Sequence, residues 1–354
     1  MKESIWIIFL AFIVLMFCGL GLLAILSPDE ELPPLPVRSP DFEIKMDAVC
    51  VAFSPDGKQI AVGRVDGWDL IDFESREIIE SREIVEMHRR DMAHIYQMCF
   101  SPDGKKLLTT NGYENIILWD IESKQELFRL NKIGICRSIG FSSDGTKILA
   151  AVCQNIMMPS YAAIWDIETG KAEKYFPTEC NHVDFSPDEK SVILTHHRQI
   201  ERWDVETGKK LKRIKTFQYK VLKTGFSVDG KRMLVALSNN SRARLIDLKS
   251  GRTLKEFKNT KGRLNFAGLS NNGEFALIGD SGLISTDYYS ETHLGGLCVY
   301  STVSGKGIVR LGGYDGWNNF ALSADRSIAA GVTKGSVCFW GIRNISESSI
   351  GNLE

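Results

Sequence analysis

The chain of 354 residues lacks the short motifs that mark the commoner enzyme classes. It has no Gly-x-Ser-x-Gly, no His-Glu-x-x-His and no phosphate loop, so serine-nucleophile, zinc-protease and nucleotide-binding chemistries find no foothold. No Cys-x-x-Cys pair occurs either. Beyond the first 26 residues the cysteines are Cys50, Cys99, Cys136, Cys153, Cys180, Cys298 and Cys338. An odd set with no paired spacing argues against a disulfide framework or a zinc site. Histidine is scarce, and His196-His197 is its one adjacent pair; neighbours on a strand point to opposite faces, so the two cannot share a metal. Charge of one sign is also missing, since 43 Lys and Arg are scattered among 44 Asp and Glu for a net charge of −1. That balance leaves no basic stripe for nucleic acid. No catalytic residue, cofactor or metal is therefore expected.

What the chain has is repetition. Phe-Ser-Pro-Asp-Gly-Lys at Phe53 returns in worn form at Phe100, Phe141, Phe185, Phe226, Leu269 and Leu322, at spacings of 41 to 53 residues. A Ser follows each first residue, and the turn position holds Asp56, Asp103, Asp144, Asp188, Asp229, Asn272 or Asp325. Asx followed by Gly is turn chemistry, and the short β-prone runs on either side, such as Val49 to Phe53 and Gln59 to Val62, are hairpin arms. A second marker follows at Ile71, Trp119, Trp165, Trp203, Ile246, Tyr300 and Trp340, leading into another turn such as Glu168-Thr169-Gly170-Lys171 and a further β-prone run. Each repeat thus supplies four short antiparallel strands. Asp66, Asp69 and Asp72 have a spacing that suits a cation, but Asp66-Gly67 is a turn and Asp72 is the repeat's own Asp, so all three are structural.

Seven such units in phase resemble the WD-repeat β-propeller family, over residues 41–343. The Trp-Asp pair is literal at Trp119-Asp120, Trp165-Asp166 and Trp203-Asp204 and has drifted in the other four. The resemblance implies an all-β fold, a seven-bladed β-propeller of four-stranded antiparallel blades. It also implies a buried His, Ser or Thr, Asp and Trp network within blades, which is incomplete throughout: blade two has Thr109 and Trp119 but Tyr113 in place of the Asp. Apolar packing must then hold the blades. Blade seven lacks a fourth strand, and residues 41–46 (Phe42-Glu43-Ile44-Lys45 among them) are a spare one that closes the ring. Residues 344–354 form a flexible tail.

Ahead of the ring, residues 5–26 carry no charge and no strongly polar group. As a helix they reach about 33 Å, enough for a bilayer core of about 30 Å. The long apolar run and the poor candidates for a small-x-small cleavage site near its end favour one uncleaved transmembrane anchor over 1–26; the alternative is a protein secreted after signal-peptide cleavage. Lys2 against Asp29, Glu30 and Glu31 puts the amino terminus in the cytoplasm and the propeller outside it, periplasmic in a bacterium. Residues 27–40, with five prolines, read as an extended linker of roughly 40 Å.

Loop lengths select one end of the ring. The distance from first to second marker is 18 to 20 residues except in blade three, at 24, and blade six, at 31; from second marker to the next first it is 20 to 23 except after blade one, at 29. In antiparallel blades all three excesses emerge at the same end. They bring Met87, Arg89, Arg90, Met157, Met158, Tyr161, Tyr288, Tyr289 and His293, with Tyr314 and Trp317 from the connection between blades six and seven. Aromatic, Met and Arg side chains are what binding centres favour. The expected function is a membrane-tethered, monomeric, non-enzymatic scaffold binding a protein or peptide there. The alternative is an extracytoplasmic ligand-binding or hydrolytic propeller that uses its central channel.

Overall fold

The computed structural model describes residues 35–84, 95–111, 115–130, 134–153, 160–178, 180–186, 188–238, 242–258, 263–280, 295–314, 319–333, 335–343 and 345. The anchor expected over 1–26, the first part of the linker and the tail from 346 lie outside them. Among the described residues no helix is long and apolar enough to cross a membrane.

Seven sheets form the blades; the first six each take four antiparallel strands in sequence order, and the seventh takes three from its own repeat and its outer strand from ahead of blade one. The first strands are Cys50–Phe53, Ile95–Phe100, Ile135–Phe141, His182–Phe185, Val221–Phe226, Leu264–Leu269 and Asn319–Leu322. These adjoin one another from blade to blade and so form the inner wall of the ring. The blades hold together by alternation. On the second strand of blade two, Leu107 packs with Trp68 and Ala61 of blade one, while Leu108 packs with Ile148 and Val152 of blade three. Period-two alternation of apolar residues on a fully buried sheet therefore feeds two interfaces at once. Seven apolar clusters result, one at each blade-to-blade contact.

The repeated turns are hydrogen-bonded cassettes. In blade one the Ser54 hydroxyl donates to Asp56 Oδ1 at 2.7 Å, Asp56 Oδ1 accepts from the Lys58 N–H at 3.0 Å, and Ser54 Oγ accepts from the Gln59 N–H at 2.9 Å. Gly57 takes φ 72°, where a Cβ would be strained. Corresponding bonds recur at Ser101, Ser142, Ser227, Ser270 and Ser323, which explains a Ser that never varies. The second turn uses the repeat's Asp: Asp166 accepts from the Thr169 N–H at 2.8 Å and its hydroxyl at 2.7 Å. Of the intra-blade network only a fragment stands in blade two, where Trp119 Nε1 donates to Thr109 Oγ1 at 3.0 Å.

Phe42–Lys45 is the outer strand of blade seven, antiparallel to Ser336–Gly341 with Phe42 opposite Phe339. Blade six departs from the expected four strands. Val37–Arg38 runs parallel to Gly307–Tyr314 as a fifth, outermost strand, with Arg310 N–H donating to Pro36 O at 2.8 Å. Residues 35–40, read from sequence as the end of a free spacer, are thus docked on the ring. Gly307 makes room for them, because a Cβ there would lie 2.5 Å from Leu35.

Candidate binding end of the ring

Antiparallel order places the turn between second and third strands, and the link from each blade to the next, at one end. Residues 85–94, 154–159 and 281–294 all join strand ends there. Of the residues expected to form the binding face, Met87, Arg89, Arg90, Met157, Met158, Tyr288, Tyr289, His293 and Trp317 lie outside the described residues. Tyr161 is half-buried at the start of Tyr161–Asp166, opposite Val152, with its ring 5.6 Å from Tyr175 of the same blade. Tyr314 ends the strand Gly307–Tyr314 with its backbone opposite Gly295. Both sit at strand termini on the insertion-bearing end.

At that end the inner strands share a feature invisible to loop counting. The pairing of first and second strands slips by one residue at Tyr96, Arg137, Leu222 and Asn265, in blades two, three, five and six. All four occupy the same place, four residues before the turn marker. A bulge leaves its extra residue out of the ladder and re-aims the side chain, and bulges favour rims and sites. Tyr96 is 45% exposed.

Below the bulges a polar belt crosses blades two to five. Gln97 Nε2 donates to the Arg137 carbonyl at 2.5 Å; the Arg137 guanidinium donates to Asn181 Oδ1 and, at 3.5 Å, to Cys153 Sγ. Ser138 Oγ lies 2.9 Å from His182 Nδ1, and His182 Nε2 lies 2.9 Å from Asp184 Oδ2. The Ser138 hydroxyl also lies within donating reach of the Val183 carbonyl at 3.3 Å. Lys223 of blade five adds a cation: burial lowers its pKa below the ordinary lysine value, while the Asp184 charge acts in the opposite sense. The Ser138, His182 and Asp184 chain has the residue types of a hydrolytic triad, but Ser138 is only 3% exposed and meets no substrate as it stands. Its work is to pin blade three to blade four. Loop counting passed over these side chains, although Arg137, His182, Asp184 and Lys223 interrupt otherwise apolar inner strands.

At the opposite end three blades are tied together. Arg326, in the first turn of blade seven at φ 52°, reaches across to donate to Phe226 O at 2.8 Å and Leu269 O at 2.9 Å, joining three blades. A cavity of about 570 Å³ lies nearby, lined by Arg38, Asp41, Asp56, Asp325 and Arg343. Its charges pair internally, Arg38 with Asp41 at 2.7 Å and Arg343 with Asp325.

Five of the described cysteines, Cys50, Cys136, Cys180, Cys298 and Cys338, are buried and form no disulfide. Burial pushes the thiols of Cys136 and Cys298 up to about 12 and that of Cys338 up to about 11. Asp69 is fixed by Arg64 at 3.1 Å and by the Ser81 hydroxyl at 2.6 Å. Among the described residues no group of three or more His, Cys, Asp or Glu is placed to hold a metal ion.

Comparison with known proteins agrees with the architecture. The WD40 family model, described as "WD domain, G-beta repeat", matches residues 45–69 and 85–120. Eukaryotic translation initiation factor 3 subunit I of Bombyx mori is similar at 26% identity over 177 residues, which covers 46% of this chain and 53% of that protein. The chain thus spans about half the length of this curated relative. Matched repeats in blades one and two, and five further blades of the same build, make the chain a carrier of WD40 repeats arranged as a seven-bladed β-propeller.

Proposed function

We propose that this propeller is a protein-interaction scaffold that grips a protein or peptide partner at its insertion-bearing end and takes part in no catalysis. The observation that carries the reading is the inequality of the two ends. One carries short hydrogen-bonded turns and the Arg326 bridge, while the other receives all three insertions and four re-aimed bulge residues. Function on a common scaffold lies in such grafted loops. The silkworm relative, by its name a subunit, is a protein that works inside a larger assembly. The uncharged stretch 5–26 supports a membrane tether, with the ring on the extracytoplasmic side.

The test is cross-linked affinity purification from intact membranes, comparing wild type with a Tyr288→Ala, Tyr289→Ala, Trp317→Ala triple variant of unchanged thermal midpoint. A partner lost only from the variant supports this end as the binding end; a partner retained by it overturns the assignment. Carbonate extraction at high pH tests the tether, because an integral segment keeps the protein in the membrane pellet and a peripheral one releases it.

A further inference from the structure

The outer edge of blade four carries more cations than any other outer edge. Its strand Lys210–Thr216, with Lys209 before it, places five cations and no carboxylate in residues 209–215. In the outer strands Ile78–Glu83, Glu126–Leu130, Ala172–Phe176 and Thr253–Phe257, acids equal or outnumber bases. The even charge of the whole chain conceals this local excess.

Little compensates it. Lys210 reaches the Glu201 carboxylate on the adjacent strand, which His196 also approaches at 3.2 Å. Lys212 and Lys215 donate instead to backbone carbonyls of the blade five turn, Lys249 O at 3.2 Å and Gly251 O at 2.7 Å, acceptors without net charge. Arg213 contacts no carboxylate among the described residues. Blade five adds to the field, since burial and then the nearby Arg244 charge hold the Lys215 pKa below its ordinary value.

The backbone is equally uncompensated. Lys210–Thr216 pairs with Gln199–Asp204 on one side and is the last strand of its sheet. The Gly251 turn leans on the Ile214 carbonyl, which leaves residues 210–213 as the open stretch; all four are exposed, Leu211 at 55%. Blade six demonstrates that such an edge in this ring takes an added strand, because Val37–Arg38 is already paired there. Lysines on a free edge repel another cationic edge. The same placement selects an acidic guest, with main-chain bonds supplying affinity and charge supplying register.

We propose that the outer edge of blade four is a docking strand for an acidic, extended peptide segment of a partner protein, which adds a fifth strand along residues 210–213 while its Asp and Glu side chains meet Lys212, Arg213 and Lys215. This site is separate from the insertion-bearing end, and its failure would leave that reading untouched.

The experiment titrates the full chain with a fluorescent ten-residue peptide in which Glu-Glu pairs are separated by single Val residues, so that an extended strand presents carboxylates on both faces, with a counterpart in which Lys replaces Glu, and with vesicles of phosphatidylcholine containing phosphatidylserine, followed by amide hydrogen exchange. The acidic peptide is expected to bind saturably, to weaken with salt as surface charge pairs do, and to slow exchange at 210–213. The Lys212→Glu, Arg213→Glu double variant, altered only at exposed positions, is expected to lose affinity by about tenfold or more. Equal binding by the double variant, protection located elsewhere, equal binding of the Lys and Val peptide, or capture of anionic vesicles without strand protection would each overturn the proposal. Should the double variant fail to fold, the exchange pattern of the wild type decides by itself.

Discussion

Ring closure rests on one short strand, and its most informative side chain is Phe42. The ring stacks on Phe339 of the partner strand at 4.6 Å and 13°, and meets Phe73 of blade one at 5.5 Å. Arg76 lies over its other side, 4.3 Å from the centroid. Phe42 therefore joins the last blade to the first through the apolar cluster that seals the seam. Complete burial of a Phe makes replacement by Ala cost about 3–5 kcal/mol, and Phe42 is half-buried, so the transfer and cavity loss is about 2 kcal/mol. Aromatic pairing adds about 0.5–1.5 kcal/mol beyond area. Phe42→Ala is expected to destabilise by roughly 2.5–3.5 kcal/mol, which lowers Tm by roughly 4–5 °C in a domain of about 300 residues.

Urea unfolding followed by tryptophan fluorescence reads the effect, with Trp340, adjacent to Phe339 on the strand that pairs with the seam strand, as a local reporter. Phe42→Leu keeps most of the apolar area and loses the stacking, so it is expected to fall about 1 kcal/mol below wild type. Val303→Ala, at a turn where the side chain is 79% exposed, is the control and is expected within about 0.5 kcal/mol of wild type. If Phe42→Ala matched that control, the strand would not close the ring, and the account of how the two chain ends are joined would fail.

Arg326→Met is expected to cost about 1–2 kcal/mol in the same urea assay, because two charge-assisted bonds to separate blades are lost while a desolvated cation is relieved; a neutral or stabilising result would refute the bridge as a fastening. The repeated turn carboxylates Asp103, Asp144, Asp188 and Asp229 are held below the usual carboxylate range, chiefly by the Ser hydroxyl in each cassette. A lowered folded pKa adds stability that is complete above the unfolded value of about 3.9 and is lost as pH falls through the folded values. Thermal midpoints should accordingly change little from pH 7 to 5 through these groups and drop steeply below about pH 4; a midpoint rising below pH 4 would contradict the assignment. Cys50, Cys136 and Cys298, buried and with thiols raised to about 12, should resist Ellman's reagent at pH 8 until denaturant is added, and rapid native labelling at any of them, located by peptide mapping, would count against the packing.

The architecture was legible because its signals are local and repeated. Ser54, Asp56 and Gly57 make one cassette whose bonds span five residues, so its residue types return wherever the turn returns. The spare strand at Phe42–Lys45 was found by counting, since a ring with one strand missing at one end and one over at the other has a single closure. What counting missed depends on relations between blades. The docking of Val37–Arg38 on blade six needs an edge contributed some 270 residues later in the chain, and no pattern within 27–40 announces it. The bulges at Tyr96, Arg137, Leu222 and Asn265 shift the register by one residue without altering the repeat length, so spacing is blind to them.

Charge shows the same division from the other side. An even total is compatible with any arrangement, and here four cations fall on one outer strand, with Lys209 just before it, while the carboxylates around them are consumed by turns, by Arg242 and Arg244, or in the case of Glu201 by Lys210. In blades four and five, around this edge, the turn carboxylates Asp204 and Asp247 are fixed in place by backbone N–H groups and hydroxyls, so they cannot swing out to neutralise it. A repeat that spends its acids on turn geometry leaves its lysines to define the surface. Wherever a blade of this ring accumulates lysine on its outer strand, an unpaired positive edge follows from the construction of the repeat itself, and blade four is where that condition is met.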